Sequence, residues 1–248
     1  MTVYHGEPNG PSFTVLAALF ETGLDAALVH IDLAKAQRHS LACAQQAEVA
    51  MSVEGEGPVV VVDGEGMTDS VFIACYLDGV SEGKLRPKDP YARWEMMTWC
   101  RQLIERTAPA AAHLGLSAHP PIGDAGMLAK IGSVDLRARW HDAAAGLNAE
   151  DRLADSKMKI AQAVNKIEAQ LDGREWLMGE FSIADLESYA WLAGMVELLP
   201  SAFAERSRTA DWMHRVRLRP AVAKTLSLAR MAAPAAYWAP GPEINRWG

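Results

Sequence analysis

Hydrophobic and polar positions in the first third of the chain alternate between strand-like and helix-like spacing. A β-prone start at residues 3–5 is followed by an apolar face of helical period over residues 12–22, which Gly23 ends. Residues 27–32 are again strand-like. We therefore expect residues 3–32 to form a βαβ unit with parallel strands, since such a crossover joins parallel strands.

Strand signals return near the middle of the first half. Pro58 opens a run of four valines at residues 59–62, which suits a strand buried on both faces. The Asp-Gly-Glu-Gly turn of residues 63–66 leads to a short partner strand at residues 67–68, and residues 70–77 predict a helix. The predicted order is βαβ, a connection of variable character, then ββα.

Helical periodicity replaces strand signals in the rest of the chain. Amphipathic helices are predicted at residues 91–106, 154–171, 183–199 and 209–218. A stretch rich in Gly, Pro and Ala, residues 115–133, predicts a loop or short helices. The fold class is thus α/β followed by all-α. We expect an α/β domain at residues 1–80, a linker at 81–90, an all-helical domain at 91–231 and a surface tail at 232–248.

Composition and charge exclude several classes of function. The 248 residues carry 24 Lys plus Arg against 31 Asp plus Glu, a formal charge of −7 without basic runs, so nucleic acid is not an expected partner. No apolar run reaches the roughly 18 residues of a membrane span, and the start lacks a leader pattern. The three cysteines are isolated and lack metal-ligand spacing. We expect a cytoplasmic protein without a membrane or metal partner.

The pair Asp69-Ser70 is a candidate binding motif at the predicted start of a helix. A hydroxyl and free N–H groups there can take a carboxylate, and the Asp side chain can take an ammonium, so the pair suits an amino-acid head group. The alternative is an ordinary helix cap. Pro58 belongs at the first position of its strand, where a cis peptide after Gly57 would present backbone groups to a ligand.

The order of these elements resembles the glutathione transferases. Ser182 and Asp185, at capping-box spacing before an apolar run, resemble a second motif of that family. The resemblance implies a thioredoxin-like first domain, a helical second domain and glutathione as co-substrate. It further implies that Pro58 is cis and that Asp69 and Ser70 hold the γ-glutamyl end of glutathione.

Glutathione supplies the nucleophilic thiol in that family, so a group that stabilises its thiolate is expected in the first βα turn. A helix start lowers a thiol's pKa, and a hydroxyl there can hold the thiolate. Ser12 is the best placed hydroxyl, and Asn9 is the second candidate from the same turn. A plain capping role for Ser12 is equally open.

Within the family, the sequence is similar to the bacterial β-aryl etherases, which cleave lignin-derived aromatic dimers with glutathione. The similarity rests on Tyr4 with the turn that leads to Ser12, on residues 21–24, on residues 39–40, on the linker and on Trp94 with its neighbours. It implies that His39 lies near the glycine end of glutathione, although a lone His in a polar loop is usually surface, and that the Gly57 backbone meets the cysteinyl part. Tyr91 and Trp94 are expected in the aromatic substrate pocket or at a dimer interface.

Three departures from the etherase pattern leave the function open. Pro11 has no N–H for the thiolate, Gly57 replaces a valine, and Glu54 and Glu56 add negative charge beside an anionic ligand. The sequence therefore allows an active etherase, or a subunit with a weakened site that supports a catalytic partner; the departures favour the second. The chain is expected in a homodimer or in a heterodimer with a homologous chain. A general glutathione transferase that detoxifies small electrophiles is the alternative.

Overall fold

The computed structural model describes residues 1–41, 57–121, 124–146, 150–238 and 240. Its sheet has four strands in the order β2-β1-β3-β4. The strands are β1 (Thr2–His5), β2 (Ala27–His30), β3 (Val59–Val62) and β4 (Glu65–Met67). β1 and β2 are parallel, as the βαβ pattern predicts, whereas β3 pairs antiparallel with both β1 and β4.

Two helices accompany these strands in the order that the sequence predicts, one after β1 and one after β4. They are α1 (Gly10–Thr22) and α2 (Ser70–Gly79), and two short 3-10 helices cover Leu33–Lys35 and Gln37–Ser40. α1 begins with Gly-Pro, which suits a first turn because proline has no N–H to lose there. Gly23 ends α1 in the left-handed conformation that glycine adopts without strain.

The second half is all-helical, which confirms the fold class. Its helices are α3 (Pro90–Gln102), a π-helix (Leu103–Thr107), α4 (Ala108–Ala118), α5 (Ala125–Leu128), α6 (Val134–Ala144), α7 (Glu150–Gln170), α8 (Ile183–Leu192), α9 (Met195–Leu198), α10 (Pro200–Phe203), α11 (Ser207–Leu218) and α12 (Pro220–Leu226), with a last 3-10 turn at Pro234–Ala236. No helix in the described part of the chain combines the length and apolarity that a membrane crossing requires.

The core runs through both halves. α1 contacts α2 of the first half of the chain and also α8 and α12 of the second half. Phe13 and Leu16 of α1 and Trp191 of α8 belong to one buried hydrophobic cluster. α1 is therefore held by helices from both halves of the chain.

Several sequence predictions need correction. The Gly57–Pro58 peptide is trans, so the predicted cis bond is wrong. Residues 183–199 do not form one helix, because the chain breaks between α8 and α9 at Gly194. α6 was not predicted, since only Leu136 and Trp140 are fully buried along it and its apolar stripe is thin.

The capping box at the start of α8 is present, as predicted. The Ser182 backbone N–H donates to Asp185 Oδ2 at 3.0 Å. Asp185 Oδ1 also accepts from the Leu177 N–H at 3.0 Å and from the Trp212 Nε1–H at 2.9 Å. Burial raises the pKa of this carboxyl to about 6, against the effect of its hydrogen bonds. Asp185 thus joins α8, the loop before it and α11.

Candidate active site

A cleft opens beside the carboxyl ends of β1 and β2. One side comes from the β1–α1 loop and the segment after β2, and the other from α8 and the end of the described chain. Its lining residues are Glu7, Asn9, Pro11, Ser12, His30, Ile31, Asp32, Leu33, Ala34, Trp191, Met231, Tyr237 and Trp238. Polar groups near the start of α1 therefore meet an aromatic wall.

Ser12 lies in the cleft at the position that the sequence predicts, in the first turn of α1. Its Oγ accepts the Gly6 backbone N–H at 3.0 Å, which fixes the oxygen while leaving the hydroxyl hydrogen to donate elsewhere. Asn9 is the N-cap residue, and its side chain makes no capping bond. The Ser12 hydroxyl is thus a positioned donor beside a helix start.

Asn9 also lines the cleft, but its side chain binds two backbone carbonyls near the end of the described residues. Its Nδ2 donates to the carbonyl of Pro234 and, at 2.6 Å, to the carbonyl of Tyr237. An amide has two N–H donors, and these two bonds use both. Sequence reasoning missed this contact because the partners are 225 and 228 residues away.

Glu7 and His30 are cleft residues that sequence reasoning also missed. His30 Nε2 lies 3.1 Å from Glu7 Oε1, and Glu7 Oε2 accepts the backbone N–H groups of Arg230 at 3.0 Å and Met231 at 3.4 Å. His30 ends β2 and Glu7 follows β1. The carboxyl ends of parallel neighbouring strands meet at one edge of a sheet, and this signal could have found the pair. Burial lowers the pKa of His5, whose ring packs edge-on against His30.

Asp69 caps α2, as the capping interpretation of the Asp-Ser pair expects, and the ligand role of the pair stays a prediction. Its side chain accepts the Phe72 N–H at 2.9 Å. The backbone has φ 73° and ψ 116°, a conformation that costs energy for a residue with a Cβ. Burial raises the pKa of the carboxyl, while bonds from the Phe72 and Val71 backbones oppose that effect. Asp69 is thus held in a strained position at the helix start.

Ser70 points its hydroxyl at a buried carboxyl, Glu187 of α8. The Ser70 Oγ donates to Glu187 at 3.2 Å, and Thr14 Oγ1 and Trp191 Nε1 each donate to the same carboxyl at 2.7 Å. Glu187 is fully buried, and burial together with the nearby Asp69 charge raises its pKa to about 7 against these bonds. This network joins α1, α2 and α8.

The remaining predicted glutathione contacts lie next to a buried arginine. Arg38 Nε donates to the Gly57 carbonyl at 2.9 Å, and His39, the next residue, is buried, so its expected surface position is wrong. The described lining of the cleft does not include Gly57, Pro58, His39, Asp69 or Ser70. Glu54 and Glu56, with the rest of residues 42–56, lie outside the described residues.

Tyr91 and Trp94 lie on the outer side of α3. Their side chains are 65% and 58% exposed, and their rings pack on each other with centroids 5.3 Å apart. Neither ring lines the described cleft. The pocket role expected for them finds no support in this placement, whereas an interface role requires such exposure and stays a prediction.

Comparisons with known proteins agree with this architecture. No protein-family model matches the chain. Protein LigF of Sphingobium sp. strain SYK-6 is 24% identical over 246 residues, covering 90% of this chain and 91% of LigF. The crystal structure of LigF, described as a β-etherase, superposes with a TM-score of 0.79 at 23% identity, covering 91% of this chain and 98% of that one.

Two further structures have the same fold. A glutathione transferase from Pseudomonas putida with bound glutathione disulfide has a TM-score of 0.68 at 18% identity and covers 92% of this chain and 90% of its own. One from Burkholderia graminis with two bound glutathione molecules has a TM-score of 0.68 at 18% identity and covers 93% of this chain and 89% of its own. The chain has the fold of the glutathione transferases and is similar over nine tenths of its length to the β-etherase LigF.

Proposed function

We propose that this chain is a glutathione-dependent enzyme that cleaves β-aryl ethers of lignin-derived aromatics. The observation that carries the proposal is the cleft, in which the Ser12 hydroxyl shares one space with Trp191, Tyr237 and Trp238. A hydroxyl at a helix start suits a thiolate, and an aromatic wall suits an aryl ether. The similarity to LigF along the chain supports the same assignment.

Glutathione is the proposed co-substrate, as it is the ligand of the transferase from Burkholderia graminis. Ser12 would donate to the thiolate. The start of α2, with the Asp69 carboxylate and the Ser70 backbone, would take the two charges of the γ-glutamyl end. His39 remains the proposed contact near the glycine end, and the Gly57 backbone beside Pro58 remains the proposed contact for the cysteinyl part. Asn9 is no longer proposed to hold the thiolate, because its amide donors are engaged.

In the proposed reaction the thiolate attacks the carbon that bears the aryl ether. A C–S bond forms, the C–O bond breaks, and the aryl oxide leaves and takes a proton from water. Ser12 contributes by keeping glutathione as the thiolate at the pH of the cell and by orienting its sulfur. The aromatic wall contributes by positioning the ether.

Ser12→Ala tests this proposal. Removing one preorganised donor should lower turnover of a fluorogenic β-aryl ether by roughly 10² or more. Thr22→Ala is the control, since Thr22 lies at the other end of α1 and its hydroxyl bonds only the local Leu19 carbonyl. Calorimetry should find micromolar glutathione affinity for the isolated wild-type chain. An unchanged rate in a folded Ser12→Ala protein would reject the role of Ser12.

A non-catalytic partner subunit is the second candidate. The observation that favours it is that the Asn9 amide and the Gly57 carbonyl, two expected ligand contacts, already have partners within the chain. This candidate predicts no glutathione binding by the isolated chain and full ether cleavage only with a co-expressed homologue. Turnover of a chloronitrobenzene but of no ether would instead favour a general detoxifying transferase.

A further inference from the structure

The end of the described chain forms a strap across the cleft. We call residues 230–238 the C-terminal strap. Glu7 holds its beginning through the Arg230 and Met231 N–H groups, and Asn9 holds its end through the Pro234 and Tyr237 carbonyls. Both anchors belong to the loop that leads to Ser12. The strap is therefore tied to the same loop that forms the polar side of the cleft.

Trp238 ends the strap and fills a slot behind the cleft. Its indole is 4% exposed and stacks on Trp191 with centroids 5.4 Å apart and planes at 26°. The indole N–H donates to the Ala235 carbonyl within the strap itself. Both tryptophans also line the cleft, so the indole pair is the part of the aromatic wall that an incoming ring meets.

The slot is lined by three glycines from separate elements, and the absence of a side chain at Gly115 is what leaves room for the indole. A Cβ on Gly115 of α4 would overlap Trp238 Cδ1. A Cβ on Gly194 would lie 3.2 Å from Cζ2, and one on Gly10 would lie 3.5 Å from Cζ3. Gly115 sits inside a helix, where glycine costs about 1 kcal/mol relative to alanine, so its presence calls for a packing reason. The indole of Trp238 supplies that reason.

We propose that Trp238 is a specificity-determining residue, which sets the largest aryl group that reaches Ser12. This rests on the proposed etherase function. The fixed indole closes the space between α4 and the start of α1, so a single aromatic ring fits against the Trp191–Trp238 pair and a fused ring meets the indole. A hydrophobic wall of this kind discriminates by about 10-fold to 200-fold.

Two variants change the wall in opposite ways. Trp238→Ala deletes the indole, whereas Gly115→Ala keeps it and pushes it out of the slot. Gly132→Ala is the matched control, because its new Cβ meets nothing within 4 Å. The measured quantity is the ratio of kcat/KM for a naphthyl ether to kcat/KM for a phenyl ether. We expect this ratio to rise about tenfold or more in Trp238→Ala, to fall in Gly115→Ala because the indole moves from the slot towards the cleft, and to stay unchanged in the control.

Binding of the released phenols tests the slot without turnover. Calorimetry with phenol and 2-naphthol should show wild-type preference for phenol and a shift of about tenfold or more towards 2-naphthol in Trp238→Ala. If the chain cleaves no ether, this shift still supports the size limit while the etherase function fails. If folded Trp238→Ala and Gly115→Ala proteins keep the wild-type kcat/KM ratio, and Trp238→Ala also keeps the wild-type preference for phenol, Trp238 only holds the strap in place and the proposal is wrong.

Discussion

Replacing Glu187 by glutamine should remove a loss of stability that the wild-type protein suffers as the pH rises. Glu187 is fully buried and accepts bonds from Thr14, Ser70 and Trp191. Glutamine keeps the volume and an oxygen that accepts from the indole, and the two hydroxyls can rotate to accept from its amide. The variant therefore removes the charge with little change of packing.

The sign follows from the direction of the pKa change. The carboxyl has a pKa of about 7 in the folded protein, above the ordinary value of 4.5, so folding favours the neutral form. The stability that this preference supplies is full below pH 4.5 and is lost as the pH rises through 7. At about 1.4 kcal/mol per pKa unit, the loss is roughly 3 kcal/mol.

Urea unfolding at several pH values between about 4.5 and 8 measures this loss. The informative quantity is the difference between variant and wild type, because it cancels other titrating groups such as His5, whose lowered pKa acts in the opposite direction. Glu197→Gln, an exposed glutamate on α9, is the matched control. If the difference in unfolding free energy between Glu187→Gln and the wild type stays constant with pH, the assignment of a neutral carboxyl in the folded protein is refuted.

Three further predictions use other parts of the structure. Asp185→Ala leaves the Leu177, Ser182 and Trp212 donors unpaired and should lower the free energy of unfolding in urea by on the order of 3 kcal/mol or more. The control Asp211→Ala, on the exposed side of α11, should lower it little, and equal losses would contradict this prediction. Asn9→Ala should speed amide hydrogen exchange in residues 230–238 at least several-fold. The control Asn165→Ala, which loses a distant bond to Arg206, should not change it. Unchanged exchange in Asn9→Ala would show that the strap stays in place without Asn9. Trp94→Ala should leave kcat/KM unchanged and weaken self-association measured by light scattering. A loss of kcat/KM without a change in self-association would instead support a role for Trp94 in the substrate pocket.

Local patterns predicted the elements whose causes are local. The βαβ unit follows from periodicity within residues 3–32, and the capping box follows from two residues three positions apart. Ser12 was predicted from its place in the first turn after β1, and it lines the cleft. These inferences needed no knowledge of contacts between distant parts of the chain.

The features that the sequence did not reveal depend on distant contacts. Glu187 interacts with residues 117 and 173 positions away, and nothing in its own helix marks it as buried. The surface tail was expected because residues 232–248 are rich in proline, yet Trp238 is buried. Gly115 was the available signal, since a glycine within an alanine-rich helix usually has a packing partner.

The start of α1 depends on contacts with α8 and with the C-terminal strap, and this has a consequence for Ser12. Ser12 and Thr14 are two positions apart, about 200° around the helix, so one faces the cleft while the other reaches Glu187. Asn9, just before the helix, is tied to the strap. A change in the charge of Glu187 and a change in the position of the strap therefore act on the same turn from opposite sides. Because a displacement of about 1 Å at a reacting group can cost 10²-fold in rate, both contacts should tune turnover without touching substrate.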